Sequence, residues 1–502
     1  MRLLKLAWFL CLIHVTLTWT PSVRGQGLIS PLIPSNSVSH VQVVGDTLWL
    51  GTGKGLSRSV DHGQTWENFR QVAEFADLGI FAATVQGNTI WTSTGHEEKV
   101  DNDFVATGSG LTYSLDAGRV WRHLPQPVDA PSDSFIQYGI NRMKILPIIV
   151  PEQNVTYDVS LLNAMVWIAS WAGGLRKTTD NGQTWQRVIL PPDNYNRISP
   201  SDTLSFIVDP RQNVNFTPFS VLARSDSEIW VGTAGGINKS TDGGVSWVKF
   251  NHQNQDSSIL GNWVIRIREQ RVEEKRRIWC TNWVATDQSE QFGVSYTENG
   301  GLSWHNLLHG VKAYDFAFKD TVIYVATDDG VYRTDDDGHS WSRASVIVDP
   351  SSQERFATTS IFAVGVQGDT VWITGNDGIA STTDDASHPF GQSWEVKRTY
   401  VPVGSSSVTY AYPNPFSPAN EVVRFHYSTS GNDSNVKIQI FDFGMNLVKT
   451  LLRQAPRSGA YEHDEIWDGR DESGRLVSNG VYLYKVEITN GSAAWGKVIV
   501  LQ

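Results

Sequence analysis

The phrase Ser59-Val60-Asp61-His62-Gly63-Gln64-Thr65-Trp66 constrains this chain more than any other stretch, because it returns six more times. It reads Ser/Thr-x-Asp-x-Gly-x-Thr/Ser-Trp. The other copies run Ser114 to Trp121, Thr178 to Trp185, Ser240 to Trp247, Thr297 to Trp304, Thr334 to Trp341 and Thr382 to Trp394. The second copy has Val120 before its Trp, and the fifth has Asn299 in the Asp slot. The seventh is split by roughly five extra residues between Asp385 and Gly391. A repeat of this kind sets the architecture before any local reading begins.

The phrase has a mechanical meaning. A carboxylate and a hydroxyl both hydrogen-bond backbone N–H groups in a tight turn, and Gly supplies the positive φ. Trp then opens the next strand and buries a broad surface. Each copy is therefore a stapled β-hairpin, with Asp61, Asp116, Asp180, Asp242, Asn299, Asp336 and Asp384 as the structural residues. Ahead of each copy runs an apolar–aromatic strand ending in small residues, as in Leu48-Trp49-Leu50-Gly51-Thr52 and Ile229-Trp230-Val231-Gly232-Thr233. One more strand precedes it, such as Val41 to Val44 or Ile361 to Val364. Four strands per unit and seven units predict an all-β fold, a seven-bladed β-propeller. The phrase resembles the Asp-box, or bacterial neuraminidase repeat, of sialidase-like propellers.

In chain order, residues 1–25 read as a signal peptide: Arg2 and Lys5, an apolar run from Leu6 to Val15, and a small-residue exit at Val23-Arg24-Gly25. The run is too short to span a membrane, and no later stretch spans one. Cys11 would leave with the leader, so Cys280 would be the one cysteine of the mature chain and no intrachain disulfide could form. The formal charge is −11, and no basic stripe offsets it, which excludes nucleic acid as a natural partner.

The propeller is expected over 26–402, a flexible link over 403–410, and a small Ig-like β-sandwich over 411–502. The tail carries Tyr412-Pro413-Asn414-Pro415-Phe416, Trp467-Asp468-Gly469-Arg470-Asp471-Glu472-Ser473-Gly474 and Gly480-Val481-Tyr482-Leu483-Tyr484-Lys485. It resembles the Ig-like domain of flagellar hook-capping proteins and the C-terminal sorting domain of the type IX secretion system. The resemblance implies export to the surface or exterior of a Gram-negative cell by outer-membrane secretion machinery, or else an adhesive module.

Propellers of the resembled kind place Asp-box turns on one face and bind ligands on the other. That ligand face should collect the loop from Gly95-His96-Glu97 to Ser109, the turn at Trp171, the loop Trp283 to Phe292, and the connections 123–138, 188–215 and 251–261. The segments 150–162 and 269–276 should fall on the Asp-box face. Trp171 and Trp283 stand where other units have small residues, and exposed flat aromatics stack on sugars or anchor peptides. With His96, Glu97, Asp328 and Asn376 they form the candidate ligand-binding set.

The enzyme reading is a glycoside hydrolase, which needs two carboxylates set across the scissile bond. Glu97, Asp103, Asp287, Asp328, Asp329 and Asp377 are the ligand-face candidates. The Arg-Ile-Pro phrase and arginine triad of sialidases are missing; Arg266 and Arg268 alternate along one strand and could face a central channel. No metal or cofactor site is expected: Asp335-Asp336-Asp337 is absorbed by an Asp-box, and Cys280 has no partner at ligand spacing. Sortilin-type receptors and photosystem II assembly factors, which share the repeat, bind proteins or peptides. The reading is thus a monomeric, non-enzymatic binder of a glycan or protein partner, with glycoside hydrolysis as the alternative.

Overall fold

In the computed structural model, residues 22–501 are described, apart from 25–26, 71, 76–77, 101–102, 353, 357, 400–408, 420, 430–431, 460–461 and 490–492. The expected leader lies outside the described residues except for Ser22–Arg24, which pair with Val120–Leu124 as a strand. Two compact units divide the chain, Met1–Thr399 and Tyr400–Gln502.

Among the described residues the first unit holds seven antiparallel meanders of four strands, numbered sheets 1 to 7; sheets 1, 2 and 4 each gain a fifth, outer strand, Leu28–Ser30, Ser22–Arg24 and Arg197–Ile198. Their first and last strands are Val38–Val44 and Trp66–Asn68, Gly79–Gln86 and Val120–Leu124, and Thr156–Leu162 and Gln186–Val188 for sheets 1 to 3. Sheets 4 and 5 run from Pro218–Ala223 to Trp247–Phe250 and from Ile267–Val272 to His305–Leu307. Sheets 6 and 7 run from Ala313–Lys319 to Ser342–Ala344 and from Ala363–Gln367 to Glu395–Lys397. First strands touch in cyclic order, sheet 7 against sheet 1, save that sheet 5 meets sheet 6 through its second strand. This is a closed β-propeller. The four strands of each meander are contiguous in sequence, so closure rests on packing and hydrogen bonds between sheets 7 and 1. Ile33, Val38, Leu50 and Trp66 share a core with Ala363, Trp372 and Ile379, and the Asn36 carbonyl accepts the Gly378 N–H at 2.6 Å.

The repeated phrase does what its residue types dictate. In sheet 1 the buried Ser59 hydroxyl donates to Asp61 Oδ1 (2.7 Å) and accepts the Gly63 N–H (2.8 Å). Asp61 in turn accepts the Thr65 N–H at 2.9 Å and its hydroxyl at 2.6 Å. Asp180, Asp242 and Asp336 repeat this set. Asp116 keeps the backbone bonds, with Val120 offering no hydroxyl. Asn299 Oδ1 accepts the Ser303 N–H, while its Nδ2 donates to Ser303 Oγ at 2.8 Å, so the amide substitutes by reversing one bond.

Glycine is required in the turn for two reasons at once. Gly63 has φ 76°, and a Cβ there would stand 2.5 Å from the Trp372 ring of sheet 7; Gly244 (φ 86°) meets Trp167 of sheet 3 at 2.6 Å. The turn is thus pressed against the neighbouring sheet, and a cation often ties it there. Arg58 donates to the Ala117 carbonyl, Lys177 to Gly243, Lys239 to Gly300 and Lys397 to Gly63, at 2.7–3.1 Å. Trp66, Trp91, Trp121, Trp167, Trp230, Trp247 and Trp279 are buried to 1% exposure or less. Each removes on the order of 200 Å² from water, about 5 kcal/mol of transfer free energy before ordering entropy is counted.

The seventh copy departs from the pattern, and Asp384 must be reassigned. It accepts from Tyr324 and, at 2.6 Å, from Arg333 Nε of sheet 6, and no hydroxyl of its own turn bonds it. The extra residues after Asp385 separate it from Ser393, so Thr382 Oγ donates to the Ser393 carbonyl instead.

The second unit is an Ig-like sandwich with one sheet of Thr409–Tyr412, Val423–Ser428 and Glu462–Trp467. The other holds Ser434–Phe441, Leu447–Arg457, Gly480–Ile488 and Ala494–Val500. Thr409 and Tyr410, expected in the link, begin its first strand; the rest of the link lies outside the described residues. The tail motifs are structural pins. Asn414 and Phe416 exchange backbone and side-chain bonds with Lys497, Ile499 and Leu501. The buried Trp467 donates to the Arg470 carbonyl, and Tyr484 is fully buried above Gly496, where a Cβ would lie 2.2 Å from the ring.

Candidate functional site

In a four-stranded meander the first strand starts at the face where the second-to-third connections lie, opposite the turns that the repeated phrase forms. In five sheets that start is bulged, at Val38/His40, Ile80/Ala82, Thr156/Asp158, Pro218/Ser220 and Ala313/Asp315. A bulge leaves one residue outside the ladder and re-aims its side chain. The bulged residues are Ser39, Phe81, Tyr157, Phe219 and Tyr314, and Phe362 precedes the first strand of sheet 7 at the same level.

These aromatics join Trp171, Trp263 and Trp283 into one unbroken arc. Successive ring centroids are 5.9 Å (Phe81–Tyr157), 5.4 Å (Tyr157–Phe219), 5.4 Å (Phe219–Trp263), 5.6 Å (Trp263–Trp283), 5.5 Å (Trp283–Tyr314) and 5.8 Å (Tyr314–Phe362). Trp171 sits 6.4 Å from Tyr157 and 6.1 Å from Phe219, 39% exposed. The arc passes over sheets 2 to 7 and breaks at sheet 1, where Ser39 donates to the Ile80 carbonyl at 2.7 Å.

One step along each strand comes the layer His40, Ala82, Asp158, Ser220, Arg266, Asp315 and Ala363. Of these, His40, Asp158, Arg266 and Asp315 line the channel, whereas Ala82 and Ala363 are packed in the cores between sheets. Arg266 links four sheets. It lies 3.6 Å from Asp158, 3.4 Å from Asp315 and 3.4 Å from His40 Nε2, and Arg268 reaches Asp315 at 3.3 Å. Asp158 also accepts the Ser220 hydroxyl and the Val221 N–H. Burial, then the charges of Arg266 and Arg268, push the His40 imidazole well below its ordinary value, so it is neutral. Arg266 Nε and Asp315 Oδ1 are buried without a well-formed hydrogen bond. The channel cavity here is about 330 Å³.

The residues expected to form the site lie on this face but spread around it. Trp171 is in the arc. Trp283 is half-buried, its indole donating to the Ala313 carbonyl at 2.7 Å with Lys312 Nζ 4.0 Å over its ring, so it packs sheet 5 on sheet 6. His96 and Glu97 belong to no loop: Thr89–Val100 and Asp103–Ser114 continue as a long hairpin, exposed at its end. His96 bonds Ser109 Oγ at 2.8 Å. Asp328 accepts from Thr359 through its carbonyl, and Asn376 accepts from Ser37 at 3.2 Å. The structure does not bring these four together.

Three placements need correction. Residues 150–155 lie on the ligand face, because they run into the start of the first strand of sheet 3 and bond Ala106, Gly108, Trp171 and Ala172. The connections 123–138 and 188–215 meet that face only at their ends, where Gln126 bonds Thr156 and Asn215 bonds Asp193 and Thr233; their middle parts leave it. Phe135–Tyr138 and Asn141–Ile145 form a hairpin joined by Ile207–Val208, whose apolar side packs on sheets 3 and 4. Tyr138 from it donates to the Val245 carbonyl of an Asp-box turn. Three of the six candidate carboxylates are engaged: Asp329 pairs with Arg343, Asp377 with Arg398, and Asp287 accepts from Ser289 and Gln253.

Arg266 and Arg268 line the channel, as their alternation suggested; Asp158, Asp315, His40 and most of the arc went unrecognised. A signal was present at five of the seven first strands, an aromatic followed by a small or polar residue. Among the described residues no three His, Cys, Asp or Glu side chains are grouped to hold a metal ion. Cys280 is fully buried, and burial pushes its thiol far up, so it is no nucleophile. No helix among them is long and apolar enough to cross a membrane.

Fold and site thus define a β-propeller with an aromatic-rimmed channel mouth, joined in one chain to an Ig-like domain. Residues 417–492 match the FlgD Ig-like domain family. No curated protein matches the chain. Among solved structures it is similar to YCF48 from Cyanidioschyzon merolae (16% identity, TM-score 0.43, covering 70% of this chain and 97% of that one). It is also similar to an ancestral GH74 enzyme (14%, TM-score 0.48, 95% and 63%). A third is PorZ, a surface component of the type IX secretion system of Porphyromonas gingivalis (13%, TM-score 0.21, 93% and 75%). Likeness at this level says nothing of what this chain binds.

Proposed function

We propose that the chain is an exported, non-enzymatic recognition module, a seven-bladed Asp-box propeller whose aromatic rim binds a glycan or a protein partner. Its Ig-like domain carries it to the cell surface or exterior. The observation that supports binding is the arc itself: an uninterrupted run of aromatic rings around a channel mouth, supplied by six successive sheets. Packing alone does not call for rings at the one bulged position that leaves the ladder. The carboxylates nearest the mouth, Asp158 and Asp315, are engaged by Arg266 and Arg268, which favours binding over hydrolysis.

The test is a glycan array and a peptide array on the purified propeller, beside a panel of fluorogenic glycosides. Binding that Trp171→Ala and Tyr157→Ala weaken about tenfold each, a loss near 1.4 kcal/mol, with no glycoside cleaved, is the expected result. Turnover of any glycoside, abolished by Asp158→Asn or Asp315→Asn, would replace this reading with an enzyme.

A further inference from the structure

In every sheet a second-strand aromatic faces one third-strand residue across the ladder. In six sheets that residue is large: Arg58 against Trp49, Tyr113 against Trp91, Lys177 against Trp167, Lys239 against Trp230, Tyr296 against Trp279 and Arg333 against Tyr324. These side chains cover the aromatic. The Lys177 and Lys239 ammonium groups stand 5.0 and 4.8 Å over their rings, and Tyr113 and Tyr296 stack at 4.5 Å. In sheet 7 the residue facing Trp372 is Ser381. The reach to the next turn is made instead by Lys397, from the outer strand.

The missing side chain coincides with a cavity of about 610 Å³, within the range of small-molecule sites. It lies on the Asp-box side of sheet 7, against the Asp-box turn of sheet 1, far along the strands from the aromatic arc. The split in the seventh repeat supplies one wall, through His388 and Gln392, and His62 supplies the opposite one. Trp372 and Trp394 border it, 2% and 4% exposed; their indole N–H groups are buried without an acceptor, as are those of Trp66, Trp91, Trp121 and Trp167 in other sheets.

The lining selects a ligand class. Among the described residues no lysine or arginine lines the cavity, so it offers no fixed cation to a phosphate or carboxylate. Its two carboxylates are already answered: Asp349 accepts the Ser351 N–H and hydroxyl, and Glu395 pairs with Lys397 at 3.1 Å. What remains is a wall of hydroxyl, amide and imidazole groups over an indole floor. We propose that this cavity is a second ligand site, for an uncharged polyhydroxylated molecule of disaccharide size. Trp372 is floor and not platform, so recognition there runs through hydrogen bonds to sugar hydroxyls.

The experiment is calorimetric titration of the full chain with cellobiose, maltose, lactose and chitobiose, with glucuronic acid and inorganic phosphate as anionic probes. At least one neutral disaccharide should bind with a Kd of about 1 mM or tighter. Ser381→Lys, which restores the residue of the sister sheets, should weaken it about tenfold or more without lowering the thermal midpoint. Gln392→Ala, at an exposed position, gives the same reading by deletion. Trp171→Ala should leave this binding unchanged, which keeps the site separate from the rim. Binding of none of the four, preference for an anionic probe, or full affinity in both cavity variants would overturn the proposal.

Discussion

Ser59 shows how one hydroxyl can carry a hairpin: it donates to Asp61 and accepts from Gly63 at a site only 2% exposed. Removing it strands the Gly63 N–H in a buried place. Ser59→Ala should therefore destabilise the propeller by about 1–2 kcal/mol, read from urea unfolding. The Asp partners make the same staple sensitive to acid. The Thr65 hydroxyl above all holds the Asp61 carboxyl down to about 2. For Asp180 burial works the other way, but the bonds from Thr178 and Thr184 outweigh it and leave the carboxyl at about 2. Both lie below the roughly 3.9 of an unfolded aspartate. Their contribution is complete above about pH 4 and is lost as pH falls toward 2, so the thermal midpoint should drop steeply across that window. A flat profile between pH 4 and 2 would contradict the staple. This residue chemistry was legible in the sequence because it is local, with partners two to four positions apart. Asp384 was misread for the complementary reason: its partners, Tyr324 and Arg333, are 60 and 51 residues away.

At the scale of the element, the bulge decides which side chains reach the rim and which reach the channel. Strand existence and the four-strand unit could be read from alternation and turn residues. The bulge could not, since one extra residue reverses facing without changing composition. That is why Arg266 and Arg268 were placed at the channel while Tyr157 and Asp158, adjacent in sequence, were not assigned their opposite roles. The Arg266 network follows from this geometry and carries its own prediction. Arg266→Ala leaves Asp158 and Asp315 buried beside a vacancy and should cost about 3 kcal/mol or more. The double change Arg266→Met with Asp315→Leu removes two of these charges, leaves Asp158 its bonds from Ser220 and Val221, and should cost clearly less. Equal losses in the two proteins, measured by denaturant titration, would mean that packing and not charge dominates there.

For the whole molecule, the two units have separate cores. Val423, Phe425, Ile438, Trp467, Tyr484 and Val498 close the Ig-like sandwich without help from the propeller. Calorimetry of the full chain should show two transitions, and residues 409–502 alone should reproduce one of them. The division was visible in the sequence as a change from seven repeats to a non-repeating tail. The side on which each long connection lies was not, because a connection's path depends on what it packs against, as Tyr138 shows by reaching the turn at Val245. The proposed recognition on the aromatic face would be a property of the assembled ring, since no single sheet contributes more than two of its rings. Hydrogen–deuterium exchange of the propeller with and without the best array ligand tests it most directly. Protection confined to the strand starts near Phe81, Tyr157, Phe219 and Tyr314 and to the turn at Trp171 is the predicted result. Protection confined to the Asp-box turns, with the rim unchanged, would contradict it.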